Sequence, residues 1–68
     1  MWNYEKMWIT GYYMDKPVSG IVESSRVAYG GEVKHTVVLD NPINMYGVNR
    51  DRVILNHSEI ETVADNKE

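Results

Sequence analysis

The chain has 68 residues, with 7 Lys or Arg against 10 Asp or Glu, a net charge of -3 and no cysteine. That length holds one domain, and a chain this short buries only about 60% of its unfolded surface; without disulfides or thiolate metal sites, it is expected to gain stability from copies of itself. The acidic balance opposes a nucleic acid polymer as partner, no apolar run reaches the roughly 20 residues of a membrane span, and the N-terminus has neither the basic start nor the apolar core of a secretion signal, so a cytoplasmic protein without membrane contact is expected.

Most of the chain has apolar residues at a period of two, the mark of strands. Trp8, Thr10 and Tyr12 alternate with Met7, Ile9 and Gly11 in a first strand whose aromatics point both ways, which implies that both faces are covered. Trp2 and Tyr4 precede it with no evident partner in so small a core. Together with Trp8, Tyr12 and Tyr13 they make a dense aromatic start, expected to serve as an oligomer seam or a partner surface. Val18, Gly20, Val22 and Ser24 alternate with Ser19, Ile21, Glu23 and Ser25 in a second strand, bent at Gly20. The pair Gly30-Gly31 permits the positive φ of a tight hairpin turn into a third strand. That strand sets Val33, His35, Val37 and Leu39 on one face and Lys34, Thr36 and Val38 on the other. Asp40-Asn41-Pro42 is expected to close it, because Pro42 gives up a ladder donor; Ile43 to Tyr46 then reads as a short edge piece broken at Gly47. Arg52 to Leu55 forms a buried fourth strand, and Asn56-His57-Ser58 turns the chain. Ser58 and Glu61 have capping-box spacing for one helical turn, and Ile60 and Val63 anchor this last segment to the core. One domain over residues 1–63 is expected, with a fraying acidic tail at 64–68.

Short strands and glycine turns in so little chain predict an all-β fold, a small five-stranded SH3-like barrel with one helical turn near the C-terminus. The stretch Arg52 to Val63 resembles the last hairpin of SH3-like barrels, a likeness of architecture that carries no function.

For catalysis a nucleophile, a base and an orienting group would have to meet. With no cysteine, no serine in a strand-to-helix elbow and no room for a cleft that excludes water, a non-enzymatic protein without cofactor or metal is expected. His35, mid-strand in an apolar alternation, reads as a packed, hydrogen-bonded histidine, and His57 as a local cap. Binding chemistry is more evident. Ser25, Arg26, Tyr29, Gly30 and Gly31 combine a hydroxyl, a planar guanidinium donor, a stacking ring and backbone amides open to an anion. Tyr46, Asn49, Arg50 and Arg52 repeat those ingredients, and the local basic charge runs against the acidic whole. In a small barrel the two clusters are expected to approach each other, within one chain or across a subunit boundary.

The leading reading is a homo-oligomer that sequesters a small anionic, nucleotide-like ligand at or near its subunit interfaces. In design it resembles the phage-encoded sponge proteins that sequester nucleotide immune signals, short cysteine-free chains that bury a ligand between identical subunits without altering it. That resemblance implies a site in the host cytoplasm and an anti-defence role. The alternative is an SH3-like protein-interaction module using its aromatic N-terminal segment. Single-stranded nucleic acid binding, disfavoured by the charge, stands third.

Overall fold

The computed structural model describes residues 3–64. Its strands are β1 (Trp8–Tyr13), β2 (Lys16–Val27), β3 (Val33–Met45), β4 (Val48–Asn56) and β5 (Ile60–Ala64), with a single 3-10 turn at His57–Glu59 between the last two. They form one antiparallel sheet in the order β4-β3-β2-β1-β5: a four-strand meander whose fifth strand returns to the free side of β1. This is the all-β, five-stranded architecture with one helical turn near the C-terminus that the period-two pattern predicts. Ala64, which the sequence pattern assigns to the tail, is the last residue of β5 and pairs with Trp8.

The sheet curls around Ile9, Val18, Val22, Val37, Leu39, Val53 and Leu55, with Tyr4, Tyr13, Ile43 and Ile60 packed on the rim. Burying each of these aliphatic side chains stabilises the fold by about 1.5–3 kcal/mol relative to leaving it in water. Only one face of β1 is covered. Ile9 and Gly11 are buried and Tyr13 half-buried, whereas Tyr12 on the opposite face is exposed. The expectation that aromatics on both faces require two covers is therefore corrected; Trp8 instead donates its indole N–H to Asp40 Oδ2 at 2.8 Å on the open face.

Irregularities in β2 and β3 alter readings made from the sequence. In β2, Val22 pairs with Val37 but Ser24 pairs with Thr36, leaving Glu23 as an extra residue. A one-residue bulge reverses the facing of everything beyond it. Ser25, rather than Ser24, consequently points into the core opposite His35. In β3, Val38 pairs with Arg52 and Ile43 with Arg50, so residues 39–42 span a gap that β4 crosses with Asp51 alone. Pro42, which has no donor to offer, lies in that gap. Asp40-Asn41-Pro42 therefore bends the strand without ending it, and the supposed edge piece is the second half of β3.

The turns differ as well. Gly30 and Gly31 both have positive φ, but they belong to a five-residue connection, Ala28 to Glu32, closed by Ala28 N–H to the Glu32 carbonyl at 2.6 Å and Gly31 N–H to the Ala28 carbonyl at 3.0 Å. The tight two-residue turns are Met14-Asp15 (φ 48° and 68°) and Tyr46-Gly47 (φ 54° and 79°). Two successive positive φ values match the right-handed twist of a hairpin. At Gly20 the sheet itself excludes a side chain, because a Cβ there would run into the Val38 carbonyl oxygen.

Candidate functional site

One cluster of polar groups lies inside the barrel, at the end where β2, β3 and the 3-10 turn meet. The bulge in β2 aims Ser25 inward, and the alternation of β3 does the same for His35, which is 0% exposed. His35 Nδ1 sits 2.7 Å from Ser25 Oγ, and His35 Nε2 sits 3.0 Å from His57 Nδ1. The Tyr4 ring covers both imidazoles, with centroids 4.9 Å from His35 and 5.2 Å from His57. Tyr4 N–H donates to Ser25 Oγ at 3.1 Å, and Ser25 N–H donates to Glu5 Oε2 at 3.1 Å. Burial lowers the pKa of His35 below its ordinary 6.5, and the neighbouring His57 adds to that effect. No buried side-chain nitrogen or oxygen among the described residues lacks a partner.

His35 is thus the packed, hydrogen-bonded histidine that its strand position predicts. His57 is not the local cap expected of it: its side chain reaches His35, and Glu59 Oε1 takes the Asn56 N–H at 2.9 Å at the start of the turn. The capping-box spacing therefore applies to Asn56 and Glu59 rather than to Ser58 and Glu61. Tyr4, expected to lack a partner, is the cover of this cluster; the aromatic start consequently divides. Tyr4 and Tyr13 pack against the core, Trp8 is half-buried, Tyr12 faces solvent and Trp2 lies outside the described residues.

On the outer face of the same end, Arg26 stands directly across the ladder from Lys34, and Lys34 across from Asn56. Lys34 Nζ donates to Asn56 Oδ1 at 2.7 Å and pairs with Glu32 at 3.3 Å. No ion pair among the described residues includes Arg26 or Arg50. A depression of about 300 Å³ opens beside this row, lined by Gly31, Glu32, Val33, Asn56, His57 and Ser58. Tyr29, at the tip of the connection, is wholly exposed. Lys34 and His57 were not among the binding residues expected from the sequence. The signal available for Lys34 was its place one residue from His35 on the opposite face; for His57 there was none, since its link to His35 spans 22 residues.

The second cluster lies elsewhere. Tyr46, exposed at its turn, and Asn49 and Arg50 stand at the far end of β3 from Arg26 and Gly31, so one chain does not bring the two clusters together. Asn49 Oδ1 accepts the Asn44 amide at 3.1 Å. Arg52 pairs with Glu23 at 2.9 Å. Arg50 and Arg52 border a groove of about 300 Å³ with Tyr13, Thr36, Val53 and Ile54 along β4.

Among the described residues no group of three or more His, Asp or Glu is placed to hold a metal ion, and no helix is long and apolar enough to cross a membrane. Comparison with family models, with curated proteins and with solved structures finds no match.

Proposed function

We infer that the chain is a non-enzymatic binding protein that assembles with copies of itself and holds a small anionic, nucleotide-like ligand at or near the boundaries between them. The observation that carries this reading is the pairing of Arg26 with Lys34 directly across the ladder. Like charges in that position destabilise a sheet by up to about 1 kcal/mol. One carboxylate, Glu32, offsets Lys34, and among the described residues none offsets Arg26. An anion between them would relieve the repulsion, with Gly31 backbone and the Tyr29 ring beside it for a phosphate and a base.

Self-association has its own support. β4 and β5 are hydrogen-bonded on one side only, and such edges are templates for another chain. The β4 edge carries Arg50, in no ion pair among the described residues, beside Asp51 and an Arg52 already paired with Glu23; the β5 side carries Glu59 and Glu61. Opposite charge on two open edges favours a head-to-tail contact in which β4 of one copy meets β5 of the next. Such a contact would also let the Tyr46-to-Arg52 cluster of one copy serve a site on another, which a single chain does not achieve. The likeness in design to sponge proteins supports sequestration within a cytoplasm, rather than conversion, as the ligand's fate.

The test is isothermal titration of the full chain against cyclic and linear nucleotides. Binding by the parent and its loss in Arg26→Ala, with the oligomer intact, supports the reading; no heat from any nucleotide counts against it.

A second reading, a peptide-binding module, rests on the groove along β4, where an extended acidic peptide could add a strand beside Arg50. It no longer rests on the aromatic start, whose Tyr4 is committed to the core.

A further inference from the structure

The interior hydrogen-bond chain dictates where its protons sit. Ser25 Oγ already accepts the Tyr4 N–H, and the one acceptor in reach of its own hydrogen is His35 Nδ1. With both imidazoles neutral, His35 must therefore carry its proton on Nε2 and donate it to His57 Nδ1, which leaves the His57 proton on its outer nitrogen, Nε2. The half-buried His57 is the link to water, because it lines the depression beside Gly31 and Ser58.

We propose that Ser25, His35 and His57 form a one-proton switch that converts a neutral donor at the floor of this depression into a cation. Charging His57 requires a hydrogen on both of its nitrogens, so Nδ1 must change from acceptor to donor. His35 can receive that bond only by moving its own proton from Nε2 to Nδ1. The balance is complete with one proton taken from water. His57 gains a hydrogen on Nδ1, His35 exchanges its Nε2 hydrogen for one on Nδ1, and the Ser25 hydroxyl ends as it began, so the pair holds one proton more. Ser25 Oγ then accepts from both Tyr4 N–H and His35 Nδ1–H, and its own hydrogen turns away from both donors. A second proton has no place, since two charged imidazoles would set N–H against N–H across 3.0 Å in a buried site.

The neighbouring charges are accounted for on every side. The N-terminal segment contributes the Tyr4 ring and Glu5; β2 contributes Ser25 and, on its outer face, Arg26; β3 contributes Lys34, tied to Asn56 and to Glu32; the 3-10 turn contributes Glu59, tied to the Asn56 amide. None of these is hydrogen-bonded to the His57 ring, so His35 alone answers a change in its protonation. The Tyr4 face stacked on both rings favours one positive charge in the pair.

The experiment is long-range proton–nitrogen correlation NMR of the uniformly labelled full chain, titrated from about pH 8 to about pH 5, a range in which imidazoles report tautomer and charge directly. The expected result is that His35 is an Nε2–H tautomer at the start and becomes an Nδ1–H tautomer as His57 charges, the two changes sharing one midpoint and the pair gaining one proton. In His57→Gln the His35 exchange should vanish, which a passive structural histidine would not require. His35 holding one tautomer throughout the His57 titration, or both rings charging independently, overturns the proposal. The wild-type spectrum alone decides it, whether or not the variant folds.

Discussion

Replacing Ser25 by alanine removes one oxygen and strands two groups, so its cost can be worked from the structure. His35 Nδ1 is left inside the barrel with no partner, and one unsatisfied buried polar group costs about 1–3 kcal/mol. The Tyr4 N–H loses a bond at a half-buried position, worth about 0.5–1.5 kcal/mol more. A total of about 1.5–4.5 kcal/mol should lower the Tm of a domain this size by roughly 6 to 36 °C, measured by circular dichroism at one fixed protein concentration. Ser19→Ala is the control. It also deletes a hydroxyl bond, but an exposed one to Asp40 at 3.1 Å, and should move stability by less than about 0.5 kcal/mol. If Ser25 and His35 act as a unit, the double variant Ser25→Ala, His35→Leu should cost less than the sum of the single changes, since the leucine needs no hydrogen-bond partner. A Ser25→Ala protein as stable as the parent, or strict additivity in the cycle, would refute the idea that the polar interior depends on this chain of bonds.

The same geometry sets four further outcomes. Because burial lowers the pKa of His35, the unfolded chain binds a proton more readily than the folded one; stability should be complete above about pH 6.5 and fall as the pH drops through the lowered value, a slope that His35→Leu should reduce in urea titrations run across that range. Gly20→Ala should cost about 3 kcal/mol by the same assay, as its Cβ meets the backbone of β3 and not a side chain that can move aside. Changing Met14-Asp15 to Asn-Gly should raise stability by about 1 kcal/mol, since a methionine at φ 48° pays a left-handed penalty of about 1–2 kcal/mol. Arg50→Glu should weaken self-association in sedimentation velocity, and an unchanged distribution would count against the edge-to-edge contact.

How far the sequence reaches is clear from particular residues. The run Val33 to Leu39 announces its strand and its inward face without ambiguity, because the sheet's period of two matches its apolar residues one for one. The same logic fails past Val22, where a bulge that no residue type marks turns Ser25 inward in place of Ser24. It fails again at Asp40-Asn41-Pro42, whose turn chemistry is real but is absorbed as a bend, since β2 continues to pair with Leu39 while β4 does not. Of the candidate site, the surface residues Arg26, Tyr29, Gly30 and Gly31 were legible as a group because they lie within six residues of one another in the chain. Its interior half was not. Tyr4, Ser25, His35 and His57 come from four segments; the ladder joins Ser25 to His35, but it takes the β2 bulge, the 3-10 turn and the N-terminal segment to complete the group.

Native mass spectrometry of the full-length protein, purified from cells that produce nucleotide signals, bears most directly on the claim that function here means assembly and capture. The account predicts a defined multimer that keeps a phosphate-bearing small molecule and releases it on denaturation. A lone monomer at every concentration, carrying nothing, would contradict it.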